Sequence, residues 1–161
     1  MSNIYHSAPS AYDFPLLVKQ LLNRAKTVSQ DQEIVYADKK RFTYKDLFNR
    51  INRLANVLDG LNLDAGDVVA VMDWDSHRYL ESYLAVPMSE YILQTVNIRL
   101  SPDKILYTIN HAKPKVLLLN SEFAPLVKDY QFETSSIAHI IWLDYNGVTS
   151  EDVFGGNQNR V

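Results

Sequence analysis

The run Gly66-Asp-Val-Val-Ala-Val-Met72, with Asp73-Trp-Asp-Ser76, His77-Arg-Tyr-Leu-Glu-Ser-Tyr-Leu-Ala-Val-Pro-Met88 and Tyr91-Ile-Leu-Gln-Thr-Val96 behind it, decides the fold. Val68 to Met72 is an unbroken apolar stretch rich in β-branched residues, as a strand buried on both faces of a parallel sheet requires. Ser76 to Met88 reads as a helix, expected to turn Tyr79, Leu80, Tyr83 and Leu84 inward, and Tyr91 to Val96 reads as the next strand. Downstream, Ser101-Pro102-Asp103 marks a helix start: an N-cap Ser, a Pro at the first helical position, and an acid at the positive end of the dipole. That helix is stopped after Ala112 by Lys113-Pro114. Lys115-Val-Leu-Leu-Leu119 is the third strand, Glu122 to Asp129 a short helix, and His139-Ile-Ile-Trp-Leu143 the fourth strand. Strands and helices in alternation predict an α/β fold, a doubly wound parallel four-stranded sheet from Val68 to Leu143 flanked by helices. Ligands on such sheets sit beyond the carboxyl ends of the strands.

Upstream, Phe14-Pro-Leu-Leu-Val-Lys-Gln-Leu-Leu22 opens a helix, with Asp13 as its expected cap, Pro15 in its first turn, and Leu17, Leu21, Leu22 and Ala25 on one face. Glu33 to Ala37 is a short strand, and Asp38-Lys-Lys40 a turn leading into Arg41-Phe42. Thr43 and Asp46 form a capping-box pair in front of Leu47, Phe48, Ile51, Leu54, Ala55 and Leu58, which repeat at the helical period of about 3.6. Gly60 stands where a left-handed C-terminal cap is expected. Residues 1–12 read as an arm, 13–145 as the folded domain, and 146–161, with three of the five glycines, as a loose tail.

Composition limits what such a domain does. With 47% hydrophobic and 22% charged residues the 161-residue chain buries a real core. Sixteen Lys and Arg against nineteen Asp and Glu give a net charge of -3, no footprint for nucleic acid or an anionic membrane. The absence of cysteine excludes disulfides, thiol nucleophiles and Cys-ligated metals and fits a reducing compartment. No signal peptide and no apolar run of roughly 18 residues is present, so the expected location is the cytoplasm.

Three motifs bear on chemistry. Asp73-Trp-Asp75-Ser-His77 follows a strand and looks like the opening motif of haloacid-dehalogenase-type phosphatases, in which one aspartate attacks phosphorus beside Mg2+. His77 stands where Thr or Val is usual, and no later acidic pair completes the metal set; the simpler reading is that Asp73 and Asp75 end the strand and cap the helix. Histidines at 6, 77, 111 and 139 show no metal-ligand spacing; His77 as a general base is weighed against a helix-start packing role, and His111 complements its helix dipole. The glycines at 60, 66, 147, 155 and 156 form neither a dinucleotide fingerprint nor a phosphate loop.

From Phe42-Thr-Tyr-Lys-Asp-Leu47 through Ala65-Gly-Asp-Val-Val-Ala-Val-Met72, Leu84-Ala-Val-Pro87, Thr95-Val-Asn-Ile-Arg-Leu-Ser-Pro102 and Ile105-Leu-Tyr-Thr-Ile-Asn-His-Ala112, the chain resembles the N-terminal region of the AMP-forming acyl-CoA synthetases. The wording is most similar to the medium- and long-chain fatty-acyl-CoA ligase branch of that adenylate-forming superfamily. The resemblance implies a flavodoxin-like strand order and a parent reaction that turns carboxylate, ATP and CoA into acyl-CoA, AMP and pyrophosphate with Mg2+. It also implies a phosphate loop with its Lys, an adenine and ribose site, and a catalytic Lys in a C-terminal domain, none of which these residues contain. A truncated, inactive piece is therefore expected, with no catalytic or metal residue of its own; a non-catalytic binding or assembly module is the alternative. Arg99, in Asn97-Ile-Arg-Leu100, holds the position that implies a contact with CoA phosphates, against a structural role in fixing its loop. The sequence departs from the pattern at Glu90-Tyr91, where Gly-Ala is usual, and at Gln94, where His is common. Truncation and the family's N-terminal association imply a homo-oligomer with Ile4 and Tyr5 of the arm in the contact.

Overall fold

The computed structural model describes residues 8–12, 17–129 and 136–144. Ile4, Tyr5, the Asp13 cap, Pro15 and the 146–161 tail lie outside the described residues. In chain order the elements are α1 (Val18–Leu21), α2 (Asn23–Thr27), β1 (Glu33–Tyr36), β2 (Lys40–Thr43), α3 (Tyr44–Asp59), β3 (Val68–Met72), α4 (His77–Met88), β4 (Ile92–Thr95), α5 (Pro102–Ala112), β5 (Val116–Leu119), α6 (Ala124–Asp129) and β6 (His139–Trp142).

The main sheet has the order β4-β3-β5-β6 and is parallel throughout, the flavodoxin-like order expected. From β3 the chain crosses to β4 on one side, then returns through α5 to β5 on the other. Because parallel crossovers are right-handed, that reversal puts successive helices on opposite faces. The core divides accordingly. Val69, Val71, Val116 and Leu118 pack with Leu58, Tyr79 and Val86 of α3 and α4, whereas Ala70, Met72, Leu117 and Leu119 pack with Ile105 and Ile109 of α5 and Val127 of α6. Every residue of β5 is buried, which explains its uninterrupted apolar sequence. β1 and β2 form a separate antiparallel hairpin, with Ile34 opposite Phe42, so Arg41-Phe42 is a strand paired with β1 and not only the end of a turn. Phe42 joins Leu22, Leu47, Ile51 and Ala85 in a third cluster that fixes the hairpin beside α3 and α4.

Thr43 caps α3 as expected: its backbone N–H donates to Asp46 Oδ2 at 3.0 Å and its Oγ1 accepts from the Asp46 N–H at 3.2 Å. The Thr43 N–H and the Thr43 hydroxyl, which donates to Asp46 Oδ2 at 2.8 Å, hold the Asp46 carboxyl below its usual pKa. Four local expectations are corrected. Gly60 ends α3 at φ -71°, right-handed, and the left-handed residue is Asn62 two positions later at φ 54°. The N-terminal helix is two short helices broken at Leu22, which turns into the third cluster while Leu17 and Leu21 are exposed. In α4, Leu80 and Tyr83 face solvent and Glu81 and Ser82 are buried instead. Ser101 occupies the N-cap of α5, yet its side chain makes no capping hydrogen bond; Pro102 at the first position has no N–H to satisfy.

Candidate functional site

The carboxyl ends of β3, β4 and β5 bring together the first polar residues after each apolar run. Asp73 is nearly solvent-inaccessible and both its oxygens are engaged: Oδ1 accepts from Asn120 Nδ2 at 2.6 Å, and Oδ2 accepts from the Ser76 hydroxyl. Ser76 Oγ in turn accepts from the N–H groups of Arg78 and Tyr79 and starts α4. Asp73 is therefore a structural clamp between two strand ends. Among the described residues no cluster of three or more His, Cys, Asp or Glu could hold a metal ion. This geometry gives the phosphatase reading no support. Asp75 is exposed and belongs to the surface beyond β3.

Two cavities open on either side of Trp74, which lines both. The first, about 190 Å³, lies beyond β3 and β4 and is lined by Asp75, Tyr79, Tyr83, Thr95, Asn97 and Arg99. Arg99 is exposed there, its backbone N–H held by Asn97 Oδ1 at 3.0 Å, so the loop after β4 is fixed by Asn97 and the guanidinium is left to the cavity. Tyr79 stacks at a tilt on Tyr83 with centroids 5.2 Å apart. Burial pushes its phenol up to about 12, with Tyr83 adding to the rise and a hydrogen bond with Thr95 opposing it. The second cavity, about 330 Å³, lies at the switch point between β3 and β5, walled by the hairpin and the start of α4.

The histidines do not converge. His77 packs its ring against Tyr36 and Phe42, centroids 5.6 and 5.9 Å away, which is the packing role rather than that of a base beside a strand-end acid. Burial lowers its pKa, and Arg78 lowers it further. His111 stacks on Tyr107 in the last turn of α5, and His139 opens β6. His6 lies outside the described residues. Gln94 turns its amide to Thr108 O at 3.0 Å, against α5. Glu90 keeps the turn before β4 in place at φ 66°, a left-handed conformation held without glycine.

The partner of Asp73 was missed in sequence. A signal existed: the register Met72 opposite Leu119 makes residues 73 and 120 neighbours, and both are the first polar residue after an apolar strand. The hydrogen bond from Trp74 Nε1 to Glu122 Oε2 at 2.6 Å had no such marker.

The family described as AMP-binding enzyme matches residues 22–160. The chain belongs to this family. It is 35% identical over 133 residues to a long-chain-fatty-acid–CoA ligase of Thermus thermophilus, covering 83% of this chain and 24% of that protein. It is 34% identical over 119 residues to the peroxisomal benzoate–CoA ligase of Arabidopsis thaliana, covering 74% and 20%. The chain thus spans about a quarter of the length of the curated relatives it matches. Among solved structures, an anthranilate CoA ligase holding anthranoyl-AMP superposes with a TM-score of 0.75 at 23% identity, over 81% of this chain and 26% of that one. The N-terminal domain of FACL13 from Mycobacterium tuberculosis superposes with a TM-score of 0.71 at 20% identity, over 80% and 33%. At those identities the superpositions speak for the fold, and the fold is that of part of a ligase N-terminal domain within the AMP-binding family.

Proposed function

We propose that residues 13–145 are part of the N-terminal domain of a fatty-acyl-CoA ligase of the AMP-forming kind, and that the 161 residues alone do not carry out the parent reaction. The match over residues 22–160 to the AMP-binding enzyme family carries this reading. The chemistry of that reaction supports the second half. Forming an acyl-adenylate needs cationic and N–H donors around the departing pyrophosphate and a Mg2+ to neutralise it, and the sequence has no glycine-rich phosphate loop to supply them. Carboxylate-dependent pyrophosphate release by the purified chain, above a control without protein, overturns the proposal; none is expected.

Within this reading Arg99 takes the phosphates of CoA. Its guanidinium stands exposed beyond β4 on a loop fixed by Asn97, the arrangement charge-assisted phosphate contacts use. Titration with CoA is expected to give binding that Arg99→Ala weakens by about tenfold; equal affinity in both proteins removes the role. Two further parts of the proposal are a cytoplasmic location and self-association. No described helix is long and apolar enough to cross a membrane. Tyr12, Leu21 and Val28 are exposed apolar groups, and Ile92 lies exposed on the edge strand β4. Light scattering is expected to report a dimer or larger; a species of 18.5 kDa at tens of micromolar contradicts it.

A further inference from the structure

The switch-point cavity, on the far side of Trp74 from Arg99, has a composition that the ligase reading does not use. Lys39 in the hairpin turn, Lys40 at the start of β2 and Arg78 in the first turn of α4 all line it. The ion pairs among the described residues are Arg41 with Glu33 and Arg50 with Glu81, so these three cations have no carboxylate partner there. Two carboxylates line the same cavity from the strand-end side, and both already accept hydrogen bonds from neutral donors. Glu122 Oε2 takes the Trp74 indole N–H at 2.6 Å, and Asp144 takes the Ser121 N–H at 2.8 Å and its hydroxyl at 3.0 Å. Three cations against two carboxylates leave the lining of this cavity with an excess of one positive charge. His77 Nδ1 is buried beside it with no hydrogen-bond partner. Arg78 and Lys40 both act to lower the His77 pKa, behind the larger effect of burial, so their potential reaches this wall. The volume of about 330 Å³ falls within the range of small-molecule sites, unlike the 190 Å³ of the first cavity.

We infer that this cavity is a second ligand site, which holds the phosphoryl group of a small phosphorylated molecule on Lys39, Lys40 and Arg78 with Tyr36 and Trp74 walling the remainder. Two Lys ammonium groups and one Arg guanidinium drawn from two elements offer more donors than the two oxygens of a carboxylate can take, which favours the three oxygens of a phosphoryl group. The inference stands independently of CoA and of Arg99.

The chain has two tryptophans, at 74 and 142, so Trp142→Phe leaves Trp74 in the cavity wall as the sole indole reporter. In that background inorganic phosphate at millimolar concentration is expected to change Trp74 emission saturably, and acetate is not. Lys40→Gln with Arg78→Gln is expected to weaken the phosphate response by about tenfold, and Lys104→Gln, on α5 and in the wall of neither cavity, to leave it unchanged. Chloride added to the parent background tests the same point without altering the cations, since binding through Lys and Arg weakens as salt rises. No saturable response to phosphate, an equal response to acetate, survival of the response in the Lys40→Gln/Arg78→Gln protein, its loss in Lys104→Gln, or insensitivity to chloride each overturns the inference.

Discussion

Arg50 Nε donates to Glu81 Oε1 at 2.6 Å, joining α3 to α4 across 31 residues of sequence. Glu81 is 8% exposed at its side chain and Arg50 31%, so the carboxylate depends on this partner while the guanidinium keeps contact with water. Removing Arg50 leaves a buried charge unpaired, which in a fully buried pair costs about 3–5 kcal/mol. The partial exposure of Arg50 allows water to reach the carboxylate, and Arg50→Ala is expected to lower stability in urea by about 2 kcal/mol. Arg50→Met with Glu81→Met is expected to cost less than Arg50→Ala alone; the reverse order means that the ion pair is not what Glu81 relies on.

Asp73 and Asn120 make the corresponding link between strand ends, at 2.6 Å. Asp73→Ala strands the Asn120 amide and the Ser76 hydroxyl in a buried place, and an expected loss of about 3 kcal/mol follows from two hydrogen bonds to a charged group. Asp75→Ala, on the exposed neighbour, is expected to stay within about 0.5 kcal/mol. Chemical denaturation of the two variants side by side checks both; equal losses contradict the clamp.

Glu90 sits at φ 66° between α4 and β4. A side chain there costs roughly 1–2 kcal/mol that glycine does not, offset by roughly 0.4–1 kcal/mol for the greater freedom of glycine in the unfolded chain. Glu90→Gly is therefore expected to raise the unfolding midpoint, by an amount near 1 kcal/mol or less. A lower midpoint would show that the turn is relaxed with Glu in it.

Burial holds the His77 pKa below its ordinary 6.5, Arg78, Arg50 and Lys40 act in the same direction, and Glu81 opposes them. The unfolded chain then binds a proton that the folded one refuses. Stability is expected to be fully present above pH 6.5 and to fall as the pH drops through 6.5 towards the lower folded value. His77→Phe is expected to flatten that part of the curve, measured by urea unfolding between neutral and mildly acid pH. An unchanged slope assigns the dependence to other groups.

The sequence by itself determined the elements of the main sheet and their order. Val68 to Met72 and Val116 to Leu119 are apolar at every position, and only a strand covered on both faces uses such a run; the Thr43–Asp46 cap is complete within four residues. It also carried Arg99 to the end of β4, since a residue's distance past a strand is a local property. Tertiary structure decided which groups meet. Tyr79, Leu80, Tyr83 and Leu84 offered α4 an apolar stripe, yet the helix settled with Glu81 and Ser82 buried, because α4 packs against α3 as well as the sheet and Arg50 stands on the α3 side. Asp73 and Asn120 are separated by 47 residues, Trp74 and Glu122 by 48, and the switch-point cavity draws its cations from the hairpin and α4. Periodicity reads contacts a few residues apart; strand register and helix packing, which set these longer pairings, are fixed only when the whole core closes.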